Sequence, residues 1–286
     1  RSSDLFVEVC AKSTDAMEML LMRQPALFLG HGSPMNALDD NPFRQSWQHL
    51  GRRLPRPRAI LVVSAHWETD DVAVSSAIKP ETIHDFGGFP PALHAVRYPA
   101  AGDPALARRV AELLAPEPVR LDAHRGLDHG SWGVLLPMYP AADIPVVQLS
   151  LARDKPGAWH LALARRLTPL RDDGVLIIAS GDMVHNLRLL RWPLDKAEPW
   201  ALHAQNQFND WLLGNQQEAL AEPLAAGTDF ALAIPTPEHY WPMLYALALR
   251  QPDDRLSLFN DVVLGSLSMT SFLVTPPGLS PETVLP

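Results

Sequence analysis

The sequence predicts an α/β fold, a single domain whose mostly parallel central mixed sheet is flanked by helices. Apolar runs of strand length alternate with longer amphipathic stretches, the pattern of repeated strand–helix units. Within the strand runs hydrophobicity is nearly continuous, as expected of strands covered on both faces. Hydrophobic side chains make up 47% of the 286 residues and charged ones 20%, enough to build a sizeable core and unlike a disordered chain.

Residues 26–29 form the first strand run, and 59–64, 72–77, 146–151 and 175–180 supply four more, rich in Val, Ile and Leu. Between and after them, residues 104–114, 157–170, 199–213 and 238–250 place apolar side chains at helical spacing. Asp103 followed by Pro104 is an N-cap with proline in the first helical position, where its missing N–H costs nothing. Residues 256–259 and 268–274 return to strand composition and predict an antiparallel edge before a Pro/Gly-rich tail that starts at Pro276. The 28 prolines predict many short loops. No Gly/Ser-rich linker, charge block or internal repeat divides the chain, so one domain is expected over residues 22–275, with a tail over 276–286. Residues 1–21 lack the ordered regions of a signal peptide and precede Met22-Arg23-Gln24-Pro25; they read as a tag or leader.

Composition also narrows the function. Lys and Arg number 24 against 32 Asp and Glu, and the net charge of −8 disfavours nucleic acid as a partner. No apolar run reaches the ~18–20 residues of a membrane helix, so no membrane partner is expected. One cysteine, Cys10, cannot form an internal disulfide, which points to a reducing compartment, the cytoplasm. Cys10 also falls in the expected leader, an unsuitable place for a thiol nucleophile. The nucleophile elbow G-x-S-x-G, the phosphate loop G-x-x-x-x-G-K-[ST] and the dinucleotide fingerprint G-x-G-x-x-G are all absent from the sequence.

The chemistry collects instead at histidines. His31, His66 and His185 follow strand runs, and His129 lies in a polar loop read over 126–132. Function in α/β folds gathers at such strand ends. Gly30 and Gly32 flank His31 and permit a tight turn with close backbone approach; Glu68 is placed to orient His66. His239 lies at an expected helix start, where it reads more readily as a capping or packing residue than as a ligand. The other three strand-end or loop histidines fit either a ligand or a hydrogen-bonded core residue, and His129 fits a turn residue bonded to Asp128. No two of these five are closer than 35 residues, so any metal site must be assembled by the fold and not by a short motif. Such imidazoles suit iron, zinc, copper or nickel. His49, His84, His94, His124, His160 and His203 read as solvated, although His84 and His94 flank Phe86-Gly87-Gly88-Phe89-Pro90-Pro91, a candidate lid or substrate loop.

Taken in order, Gly30-His31-Gly32-Ser33-Pro34, Ser64-Ala65-His66-Trp67, His84-Asp85-Phe86, Gly126-Leu127-Asp128-His129-Gly130, the run from Ser180 to Leu187, and His239-Tyr240 resemble the DODA-type extradiol aromatic ring-opening dioxygenases. These are the 4,5-DOPA dioxygenase branch of the class III extradiol enzymes, and the resemblance covers residues 25–274. It implies a class III extradiol fold, with 22–275 as the catalytic domain. It implies that His31, His66 and His185 are metal ligands and that His239 lies at or beside the metal, where related enzymes carry a glutamate. His129 matches the acid/base residue, a role that His185 shares in part. The departure from a two-histidine, one-carboxylate set leaves Zn(II) as well as Fe(II) as occupant, although ring cleavage requires Fe(II).

The implied partners are a small aromatic diol and O2, with histidine taking a phenolic proton and a muconic semialdehyde-type product formed from a DOPA-like catechol. Trp67, Phe86, Phe89 and Tyr240 are candidates for the aromatic pocket. Two other functions use the same residues: a zinc-dependent hydrolase, and a non-catalytic metal-binding interaction protein of this fold. A homo-oligomer is compatible with all three.

Overall fold

The computed structural model describes residues 23–286 except Asp195; the expected leader over 1–21 and Cys10 lie outside the described residues. Eight strands form one mixed sheet: β1 (Ala26–Gly30), β2 (Ala59–Thr69), β3 (Val72–Ser75), β4 (Val119–Asp122), β5 (Val146–Ala152), β6 (Val175–Gly181), β7 (Arg255–Phe259) and β8 (Ser271–Thr275). Their order is β4-β3-β5-β2-β6-β1-β8-β7. The four central strands β5, β2, β6 and β1 run parallel, in register Ile60 with Val146, Leu61 with Ile177 and Phe28 with Ala179. On one side β8 and β7 add the antiparallel edge that the C-terminal composition predicts. On the other, β3 meets β5 antiparallel and carries β4 parallel to itself.

Side chains alternate between two buried faces, which explains the unbroken apolar runs. Phe28, Leu61, Val63, Ile177 and Ala179 enter one core; Leu27, Leu29, Ile60, Val62, Leu176 and Ile178 enter the other. The helices are α1 (Pro42–Arg53), α2 (Pro104–Leu114), α3 (His129–Met138), α4 (Gly157–Arg165), α5 (Pro199–Leu213) and α6 (Trp241–Ala248), with shorter turns between them. Helices α2, α4, α5 and α6 cover the first face and α1 and α3 the second. The caps follow from sequence: Asp103 accepts from Ala105 and Leu106 N–H at the start of α2, and Asn41 accepts from Arg44 N–H before Pro42 of α1.

Several expectations are corrected. The stretch 157–170 is not one helix: α4 stops at Arg165 and a separate turn begins at Pro169, whose ring and missing N–H prevent continuation. The stretch 238–250 becomes helical only at Trp241, leaving His239 in the preceding turn. Residues 126–132 are not all loop, because His129 opens α3 and Asp128 is its N-cap, accepting from Ser131 N–H. His160 is fully buried, not solvated, and bonds the Tyr245 hydroxyl at 3.0 Å. Beyond Pro276 the chain packs back, with Val284 buried beside the second core.

Candidate metal centre

Parallel strands end on the same edge of a sheet, so β1, β2 and β6 deliver their following residues to one place. His31 comes directly after β1, with its N–H on Gly181 O of β6 at 3.1 Å. Gly30 passes so close to Met269 that a Cβ would lie 2.6 Å from its backbone, and Gly32 turns the chain at φ +55°. His66 lies in β2 within the stretch between Val63 and Glu68 where the pairing with β5 slips. Such an irregularity re-aims a side chain out of the sheet. From the far end of the sequence, the turn bearing His239 is tied to the β6 exit by Asp182 N–H on His239 O at 2.8 Å. His185 is anchored by its N–H on Ala233 O at 2.9 Å.

The fold therefore brings together all five singled-out histidines. His31 Nε2 and His66 Nε2 are 3.3 Å apart. The His66 and His129 rings are 3.9 Å apart between centroids, and His185 lies flat on His239 at 3.5 Å and 4°. Their ligand atoms fall into three close groups: His31 with His66 and His129; His31 with Asp182 and His239; and His185 with Glu238 and His239. His31 Nδ1 bonds Ser180 Oγ at 3.0 Å, which leaves Nε2 facing the site. His239 Nδ1 is held by Glu238 Oε1 at 3.0 Å.

Around His129 the carboxylates differ from expectation. Asp85 Oδ1 accepts the His129 backbone N–H at 3.0 Å and lies 3.0 Å from His129 Nδ1, while Oδ2 is 3.7 Å from His66 Nδ1. Asp85, not Glu68, is the acid that faces His66. Asp128 does not bond the His129 ring. It is a buried acceptor for Ser64 Oγ, Ser131 N–H, Gln148 Nε2 and the Arg125 guanidinium.

Burial sets the charge of the site. It pushes His31 and His239 well below the ordinary imidazole range, helped by the neighbouring imidazoles. His66 and His185 fall to about 4, chiefly by burial, although Asp128 and Asp85 oppose it at His66 and Glu238 opposes it at His185. Burial works to raise Asp85, but the His129 ring and His66 outweigh it and bring the carboxyl to about 2. The result is a set of neutral imidazoles beside an ionised carboxylate. Neutral imidazole is the metal-binding form, and the fully buried Asp182 Oδ2 has no hydrogen-bond partner among the described residues. The donor set fits a divalent cation.

These groups form the floor of a cavity of about 590 Å³, a size suited to a substituted aromatic ring. Phe86 and Phe89 line it, as expected of the loop between His84 and His94. Trp67 and Tyr240 do not line it: Trp67 is buried with Arg125 4.9 Å over its ring, and the Tyr240 hydroxyl donates to Leu220 O on the other side of the turn. The mouth is instead apolar, made by Leu187, Leu190, Trp192 and Leu194. Sequence reasoning missed this segment and assigned no role to Asp85, Asp182 or Glu238. Their one signal was adjacency to histidines whose partners lie tens of residues away.

An α/β sheet with imidazoles and carboxylates converging at its parallel strand ends defines a metal-site enzyme class. Residues 25–249 match the family described as the catalytic LigB subunit of aromatic ring-opening dioxygenase, and the chain belongs to that family. It is thus an oxidoreductase of the extradiol dioxygenase type. The chain is 52% identical over 258 residues to a 4,5-DOPA dioxygenase extradiol of Escherichia coli (strain K12), covering 87% of this chain and 94% of that one. It is 39% identical over 241 residues to a 4,5-DOPA dioxygenase extradiol of Beta vulgaris, covering 82% and 90%. The crystal structure of an uncharacterized protein from Escherichia coli K12 superimposes with a TM-score of 0.78 at 46% identity, covering 88% of this chain and all of that one. No helix among the described residues is long and apolar enough to cross a membrane.

Proposed function

We propose that residues 22–275 form an extradiol dioxygenase domain that inserts O2 into a DOPA-like catechol and releases a muconic semialdehyde-type product. The observation that carries this reading is the convergence of His31, His66, His129, His185 and His239 on the floor of one cavity walled by Phe86 and Phe89. His31, His66 and His239 hold a non-heme metal, with His185 stacked on His239 as a further donor. Fe(II) is the catalytic occupant, and Zn(II) fits the same imidazoles. When bound, the metal acidifies the catechol hydroxyls and brings the diol and O2 into one site.

The chain's own groups do the rest. His129 accepts a phenolic proton at Nε2, with the Asp85 carboxylate 3.0 Å from Nδ1 placed to balance the charge that the ring gains. Since Asp85 stays ionised down to a pH of about 2, it stabilises the imidazolium that forms and so allows the proton to be returned later. His185, half-buried at the cavity wall, shares this proton traffic. Phe86 meets the His129 ring edge-on at 5.5 Å and keeps water from it. The setting is the reducing cytoplasm expected from the single cysteine.

Anaerobic loading with Fe(II), followed by air and L-DOPA or a catechol panel, tests this reading. Oxygen uptake together with a new visible semialdehyde absorbance is the expected result. Metal uptake without oxygen consumption across the panel would turn the assignment to a zinc hydrolase or a non-catalytic metal-binding protein.

A further inference from the structure

The geometry points to Asp182 as a further ligand, a carboxylate, of the metal site that His31, His66 and His239 form. This rests on the reading of the site as a metal centre. The carboxylate leaves the end of β6 with its side chain wholly buried. Oδ1 is satisfied by the Gly32 N–H at 3.0 Å, whereas Oδ2 has no hydrogen-bond partner among the described residues. Oδ2 lies 3.3 Å from His31 Nε2, the one ring nitrogen of His31 not engaged by Ser180.

Two donors bound at about 2.1 Å and about 90–110° to one ion lie roughly 3.0–3.4 Å apart, so this pair already has the spacing of neighbours in a coordination sphere. His239 completes the group within 4.8 Å and is fixed to Asp182 through the backbone bond from Asp182 N–H to His239 O. A buried carboxylate oxygen left alone is costly, and a divalent cation is the partner that removes the cost. Asp182 therefore supplies from β6 the carboxylate that the His239 position lacks.

The test is the isosteric variant Asp182→Asn, whose carbonyl still accepts from Gly32. Affinity for Zn²⁺ and Co²⁺ is measured by chelator competition, alongside the visible d–d spectrum at saturating Co²⁺ and the melting temperature of metal-free protein. Removing an outer partner of a ligand costs ~10–100-fold in affinity. The expected result is a loss beyond about 100-fold, shifted Co²⁺ bands, and a metal-free melting temperature equal to or above that of the wild type. A smaller loss, unchanged bands, or a lower metal-free melting temperature each overturns the assignment. If the wild-type protein itself takes up neither ion, the metal reading beneath it falls instead.

Discussion

The floor and the mouth of the cavity are built on different principles. Floor residues come from five separate places in the chain and are locked: His31 is 5% exposed, His129 8% and His239 7%, each tied through backbone or carboxylate contacts to β1, β6 or the Asp85 loop. The mouth comes from one continuous stretch, Leu187–Leu194, in which Trp192 is 79% exposed. Long-range assembly gives the floor one geometry, because His31 and His66 are set by core strands, His129 by the start of α3, and His185 and His239 by backbone bonds to Ala233 and Asp182. A single surface segment carries no such constraint. Chemistry is thereby placed on the rigid part and substrate fit on the adaptable part.

Breaking the floor should have the largest effect. His31→Ala and His66→Ala each abolish retention of metal and ring cleavage, read by metal analysis after desalting; a full equivalent retained by both would remove them from the site. His129→Ala keeps its metal and lowers turnover by roughly 10²–10⁴, the usual contribution of a general acid/base. Steady-state kinetics on metal-quantified protein checks this, and loss of metal from the variant would make His129 a ligand.

At the mouth, Trp192→Ala should leave kcat unchanged and raise KM about fivefold, corresponding to ~40 Å² of apolar contact with substrate at ~25 cal/mol per Å². An equal fall in kcat would show that the mouth reaches the chemistry. The most general effect is on the stability of the metal-free protein. His66, His185 and His160 titrate at about 4 when folded, below the ordinary ~6.5 of unfolded histidine. Unfolding therefore takes up protons between those values, so stability is full above pH ~6.5 and falls as pH drops towards about 4. Melting temperatures across that range, with chelator present, should be flat above and sloped below; a flat line throughout would mean these rings are not buried in solution.

The central strands were legible because burial on both faces leaves an uninterrupted apolar run, as in 59–64 and 175–180. The bounds of α2 and α5 agree with the spacing of their apolar residues and with Asp103 and Pro199 at their starts. Strand β4 was not legible: Val-Arg-Leu-Asp is a short charged edge, the form edge strands take to resist further pairing. Helix α3 was hidden for the opposite reason. Nearly all of its residues are buried, so it shows no polar face to mark a helical period, and Pro137 lies within it. The histidines could be named from strand ends and resemblance, but their carboxylate partners could not. Asp85 meets His129 across 44 residues, and no local pattern encodes that pairing.

The strand order has a consequence for a cut chain. Cleavage in the mouth segment would separate β1–β6, with His31, His66, Asp85, His129 and His185, from β7, β8 and His239. Yet β8 pairs with β1, and α6 packs in the same core as Phe28 and Ile177. The two pieces are expected to remain one particle on a sizing column, and to separate only in denaturant. A protease could thus trim the entrance while the imidazole cluster stays assembled from two polypeptides.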